Sequence, residues 1–117
     1  MTYKAVGPYS LIKKVSNFYF ISGILPLNEE GQIEKEAKDA FKRAMENLKE
    51  ILSKEGLSFN NLVKVTVYLT DPSQVKLFNE IYSSYFQEEY PARSLVFVNA
   101  LPMNSLIEIE AIAYKST

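Results

Sequence analysis

Arg93, in the stretch Pro91-Ala92-Arg93-Ser94, is one of two arginines in the chain and stands just ahead of Leu95-Val96-Phe97-Val98, an apolar run that reads as a buried strand. Its charge cannot be titrated away, and its planar fork matches a carboxylate with two parallel hydrogen bonds. The partner is therefore either a nearby glutamate or an anionic ligand. Glu108 and Glu110, in Ile107-Glu108-Ile109-Glu110-Ala111-Ile112-Ala113, are the neighbouring carboxylates to consider. Histidine and cysteine are absent, which excludes disulfides, thiolate nucleophiles and thiolate metal sites. A zinc site would need carboxylates alone, and proton transfer falls to Glu, Asp, Tyr, Lys or water.

These groups must be positioned by a small number of elements. The runs 11–15 and 18–22 are β-prone and separated by Ser16-Asn17, where Asn tolerates the left-handed conformation of a tight hairpin. A loop over 23–33, holding Pro26, Asn28 and Gly31, leads into a periodic segment. Over 34–55 the apolar positions Ala37, Phe41, Ala44, Leu48, Ile51 and Leu52 recur at helical spacing, and Gly56 follows as a cap. The opposite face of that helix, with Glu34 to Lys38 and Asp39 to Arg43 at i,i+4, makes Arg43 a solvated residue. The stretch 62–69 alternates Val63, Val65, Val67 and Leu69 against Lys64, Thr66 and Tyr68, the period of a strand. Asp71-Pro72 opens a second helix with the stripe Val75, Phe78, Ile81, Tyr82, Tyr85 and Phe86. Strands at 94–98 and 106–114 close the chain around a turn with Pro102 and Asn104.

The order ββαβαββ predicts an α+β fold, with two helices on one face of a mostly antiparallel sheet. At 117 residues the chain reads as one domain, 1–117, burying about two thirds of its unfolded surface. The net charge of -1 gives nucleic acid no electrostatic footing. The start, Met1-Thr2-Tyr3-Lys4, lacks a signal pattern, and no apolar run approaches a membrane span, so the expected setting is cytoplasmic. Phe18-Tyr19-Phe20-Ile21 and Leu95-Val96-Phe97-Val98 are apolar on both faces, which predicts a homo-oligomer packed through its sheets.

On the last strand the odd positions Ile107, Ile109, Ala111 and Ala113 suit the helix-covered core, so Glu108 and Glu110 project to the other face. Burial raises a glutamate pKa and a nearby cation lowers it, so Arg93 and Glu108 on nearby strands could tune one another. Spacing alone leaves two readings open: a salt bridge across the oligomer interface, or a catalytic pair.

Five segments decide between them. Gly7-Pro8-Tyr9-Ser10, Ile21-Ser22-Gly23, Phe78-Asn79-Glu80-Ile81-Tyr82, Pro91-Ala92-Arg93-Ser94 and Glu108 to Ala113 together resemble the RidA/YjgF family of reactive-intermediate deaminases, in order and over nearly the whole chain. The resemblance implies a chorismate-mutase-like fold in a homotrimer with sheets packed inward. It implies clefts between subunits that hydrolyse 2-imino acids and enamines, released by pyridoxal-phosphate enzymes, to 2-oxo acids and ammonia. It also implies no cofactor and no metal.

By the same resemblance, Arg93 clamps the substrate carboxylate and Glu108 positions or activates water. Tyr9 and Asn79 line the cleft, Ser22 and Gly23 face the ligand with a hydroxyl and a backbone amide, and Leu95 contacts the carboxylate through its backbone. Ile24 and Leu95 depart from the Gln, and the Cys or Thr, that many members carry, which bears on substrate size. Met103-Asn104 replaces Lys-Gly, and Asn suits a left-handed position. Each lesser residue also has a purely structural reading: Tyr9 as a cap on the sheet edge, Ser22 satisfied by backbone, Asn79 bonded locally. The alternative function is a non-enzymatic carboxylate binder or chaperone-like trimer.

Overall fold

The computed structural model describes residues 3–117; the reading of Met1-Thr2 lies outside them. Strands β1 (Ile12–Val15) and β2 (Phe18–Ile24) form the predicted hairpin. It is Ser16, at φ 55°, that takes the left-handed turn position, not Asn17. Helix α1 (Ala37–Lys54) follows, then β3 (Leu62–Leu69), α2 (Val75–Ser83), β4 (Ala92–Phe97) and β5 (Ile107–Tyr114). The sheet order is β1-β2-β5-β3-β4. All neighbours are antiparallel except β3 and β4, which run parallel and are joined through α2. Both helices cover one face, as expected for this α+β order. No helix among the described residues is long and apolar enough to cross a membrane.

The core lies between that face and the helices. Ala40, Phe41, Ala44, Met45, Leu48, Ile51 and Leu52 of α1 are buried there. Val65, Val67 and Leu69 of β3, and Ile107, Ile109, Ala111 and Ala113 of β5, meet them from the sheet. Burying such side chains contributes roughly 1.5–3 kcal/mol each before entropy is counted, which makes strand parity the main determinant of which side chains face out. Gly56, at φ 72°, ends α1 and lets the Leu57 amide return to the Leu52 carbonyl at 2.9 Å.

Several expectations shift locally. Helix α1 begins at Ala37, not Glu34, because Glu36 is extended, with φ −78° and ψ 133°, and the Glu34 amide pairs back with the Pro26 carbonyl at 3.0 Å in the preceding loop. Arg43 is half-buried beside Tyr85 and Glu46, with a shielded Nε, so it is not the solvated residue predicted. A register shift between Leu62 and Lys64 gives Leu62 the core position and leaves Val63 exposed. Asp71 caps a short 3-10 turn by accepting from the Ser73 amide at 3.0 Å, and α2 proper starts at Val75.

The run Leu95-Val96-Phe97-Val98 is not buried in a single chain: β4 is an edge strand, and Val96 and Phe97 are exposed. On the face opposite the helices, Val15, Phe18 and Phe20 and Tyr114 are also exposed, an apolar surface at one end of the sheet.

Candidate active site

Glu108 sits on β5 opposite Tyr68 of β3, its side chain on the face away from the helices. Across from it, β2 takes three residue steps from Ile21 to Ile24 while β5 takes two from Ala111 to Ile109. The extra residue makes a bulge at Ser22-Gly23. A Cβ on Gly23 would lie 2.7 Å from Glu108 Cδ and 3.1 Å from its Cγ, so the carboxylate rests directly on the glycine. The Ser22 amide donates to the Leu11 carbonyl at 2.9 Å, and the Ser22 hydroxyl donates to the Ser10 carbonyl at 2.5 Å. Its one donor is therefore spent on holding the segment that carries Tyr9, the structural role open to Ser22, while the residue still lines the cavity beside Glu108. Tyr9 folds back so that its hydroxyl accepts from the Val6 amide at 3.2 Å.

These groups line a cavity of about 500 Å³ that includes Tyr9, Ser22, Gly23, Pro102, Glu108 and Glu110. Burial, and secondarily the negative charge of Glu110, pushes the Glu108 carboxyl above the ordinary carboxylate range. Glu110 is itself held by the Tyr68 hydroxyl, which donates to it at 2.9 Å. A carboxyl so placed is suited to taking and returning a proton nearer neutrality.

Arg93 belongs to the other face. It pairs in register with Val65, which is buried under the helices, so its side chain reaches toward α2. The guanidinium lies 4.8 Å from the Tyr82 ring centre and 5.7 Å from that of Phe78, and donates to Asn79 Oδ1 at 2.8 Å. All three partners are uncharged. Cation–π contact with two rings fixes the plane of the fork, while its remaining N–H groups have no partner among the described residues. A cavity of about 290 Å³, lined by Asn79, Tyr82, Ser83, Tyr90, Pro91 and Arg93, adjoins it. Leu95 follows on the same side in register with Val67, half-buried, and outside that lining.

The predicted residues therefore fall into two groups: Tyr9, Ser22, Gly23 and Glu108 at one cavity, Asn79 and Arg93 at another. The expectation that Arg93 and Glu108 tune one another is overturned within the chain. Strand β3 stands between them, and their side chains leave opposite faces. Tyr82 and Tyr90 beside Arg93, and Glu110 beside Glu108, are parts of the cavities that the sequence reading left out; the three-residue spacing of Asn79 and Tyr82 on α2 was the available signal.

The sequence model of the family described as Endoribonuclease L-PSP matches residues 2–115. A RutC family protein of Pyrococcus abyssi is 51% identical over 114 residues, covering 96% of this chain and 90% of the relative. A mouse protein named 2-iminobutanoate/2-iminopropanoate deaminase is 45% identical over 115 residues, covering 93% of this chain and 82% of its own. The crystal structure of RidA from the Antarctic bacterium Psychrobacter sp. superposes with a TM-score of 0.94, at 39% identity and covering 97% of this chain and 94% of that one.

Proposed function

The chain belongs to the RidA/YjgF family, and from that premise we propose that it hydrolyses 2-imino and enamine acids to 2-oxo acids and ammonia, as a cytoplasmic homotrimer without cofactor or metal. Arg93 clamps the substrate carboxylate with N–H groups left over from Asn79, and Glu108 positions the water. The observation that carries the reading is the pairing of an arginine fork whose partners are all neutral with a half-buried carboxyl raised by its surroundings.

In the reaction, water oxygen adds to the imine carbon while Glu108 takes a proton from the water and passes it to the nitrogen. The hydroxyl proton then passes by way of Glu108 to the nitrogen as the C–N bond breaks, so that the carbonyl forms and ammonia departs. An iminium carbon next to a carboxylate is already electrophilic, so one placed acid and base, typically worth about 10² to 10⁴ in rate, plus orientation by the clamp, supplies the catalysis.

Because the two groups leave opposite faces of one sheet, a single chain does not bring them onto one small substrate. The cleft forms where the face bearing Glu108, Gly23, Ser22 and Tyr9 of one copy meets the edge bearing Arg93, Asn79 and Leu95 of the next. The exposed Phe18, Phe20 and Tyr114 supply apolar surface for that packing. The family description also names a ribonuclease; with no histidine and a net charge of -1 this chain offers neither the usual acid/base nor a basic patch for RNA.

The test measures ammonia release from an imino acid generated in situ by an amino-acid oxidase. Arg93→Ala and Glu108→Ala proteins are each expected to be inactive, and a fully active Arg93→Ala protein refutes the clamp. Unfolding and refolding the two together in equal amounts restores about a quarter of wild-type activity, the fraction of clefts that draw an intact arginine and an intact glutamate from adjacent copies in a cyclic assembly. No recovery in verified mixed oligomers refutes the shared cleft.

A further inference from the structure

Tyr82 is 5% exposed, and its hydroxyl is shielded from solvent with no hydrogen-bond partner among the described residues. Buried polar atoms are almost always paired, and an unpaired one is destabilising, so each exception calls for a reason. This one stands at a particular place. Tyr82 lines the cavity beside Arg93, its ring carries the guanidinium at 4.8 Å, and the ring of Tyr90 lies nearly parallel over it at 6.4 Å. Tyr90, 58% exposed, is itself part of the lining of that cavity. Burial pushes the Tyr82 hydroxyl up to about 12, which keeps it a proton donor throughout the neutral range.

We propose that Tyr82 is a positioning residue for an organic acid in the Arg93 cavity, its hydroxyl donating to the carboxylate that the guanidinium holds. A carboxylate offers about four lone-pair sites and a two-pronged arginine contact uses two, so a third donor has somewhere to go. One guanidinium N–H is already committed to Asn79, which makes a supplementary donor more valuable. The inference rests on the reading of Arg93 as a carboxylate clamp, and extends it to a residue that otherwise looks like part of the apolar stripe of α2.

The test is the Tyr82→Phe protein, which keeps the ring under the guanidinium and removes only the hydroxyl. Titration with 2-oxobutyrate is expected to show about tenfold weaker binding, the loss of one hydrogen bond to a charged group. The thermal midpoint and oligomeric state stay unchanged or the midpoint rises, because an unpaired buried hydroxyl has gone. A purely packing role for the hydroxyl gives the opposite signature, a lowered midpoint with unchanged affinity, and overturns the proposal. So does wild-type affinity at any midpoint.

Arg93→Ala, titrated in parallel, separates the two levels. If it loses 2-oxobutyrate binding while Tyr82→Phe keeps it, only the role of Tyr82 fails; if Arg93→Ala binds normally, the clamp itself fails. Should Tyr82→Phe not fold, a crystal of the wild-type protein with 2-oxobutyrate decides. A carboxylate oxygen within hydrogen-bonding distance of the Tyr82 hydroxyl supports the assignment, and a ligand held on Arg93 away from that hydroxyl overturns it.

Discussion

Gly23→Ala tests the geometry around Glu108 most directly. The added Cβ would stand 2.7 Å from Glu108 Cδ, whereas ordinary contact begins near 3.4 Å. The obstacle is the end of a flexible side chain and not backbone, so the carboxylate gives way, and its Cδ must move by at least 3.4 − 2.7 = 0.7 Å. Gly23 does not have a positive φ, so alanine adds no backbone strain. Off-rotamer placement of Glu108 costs about 0.5–1.5 kcal/mol, while the stiffer unfolded chain returns about 0.4–1 kcal/mol. Stability therefore changes by less than about 1 kcal/mol. Activity does not follow stability: a displacement approaching 1 Å of a group that orients the reaction is worth about 10²-fold. The expected outcome is a kcat about 10²-fold lower in the in situ imine assay, with nearly unchanged affinity for 2-oxobutyrate and a nearly unchanged denaturation midpoint. Gly31→Ala is the control, with open space around its Cβ but a φ of 78°; it loses about 1 kcal/mol of stability and keeps its activity. A Gly23→Ala protein with wild-type kcat refutes the placement of Glu108 at the reacting centre.

Two further outcomes concern stability. The carboxyl of Glu108 is raised from its ordinary 4.5 by burial, so its contribution to folding is complete below pH 4.5 and declines as pH rises through the folded value. Glu108→Gln should therefore melt higher than wild type at pH 7, with the gap closing by pH 4, and a gap that stays constant between those limits contradicts the assigned cause. Met103, at φ 57° and exposed, sits in a left-handed conformation next to Asn104 at φ 61°. Met103→Gly removes a conformational cost of about 1–2 kcal/mol and adds an unfolded-state cost of about 0.5–1 kcal/mol, so urea titration should find it more stable by about 0.5 kcal/mol; a lower midpoint would show that the turn is held by contacts of the methionine itself.

The parts of the molecule that were legible in the sequence are those where one period runs uninterrupted. The odd positions of β5 pointed to the core and sent Glu108 and Glu110 outward, and the helical recurrence from Phe41 to Leu52 marked α1. Legibility ended where the period breaks: the bulge at Ser22-Gly23 and the shift at Leu62 each insert a residue, which no alternation announces. The start of α1 lies later than the charged, periodic stretch suggests because Glu36 is held extended just ahead of Ala37. Most consequential was the face taken by Arg93. That face depends on how β4 registers against β3 after a crossover through α2, a non-local fact, and adjacency in the sheet says nothing about it. The family segments singled out Arg93 and Glu108 as candidates and implied clefts between subunits, without showing which face of the sheet each side chain takes.

The support beneath Arg93 reaches deep into the protein. Phe41 of α1 meets Phe78 of α2 edge-on at 5.5 Å, Phe78 leans on Tyr82, also at 5.5 Å, and those last two rings carry the guanidinium. The aim of the fork is thus set by a column of aromatic rings whose lower end, Phe41, is 1% exposed and is not part of the lining of the cavity beside Arg93. Under the proposed carboxylate clamp, drift at a filler position such as Phe41 would retune affinity for organic acids while every residue in contact with them stayed the same, an inherited adjustment hidden from any survey of the binding surface.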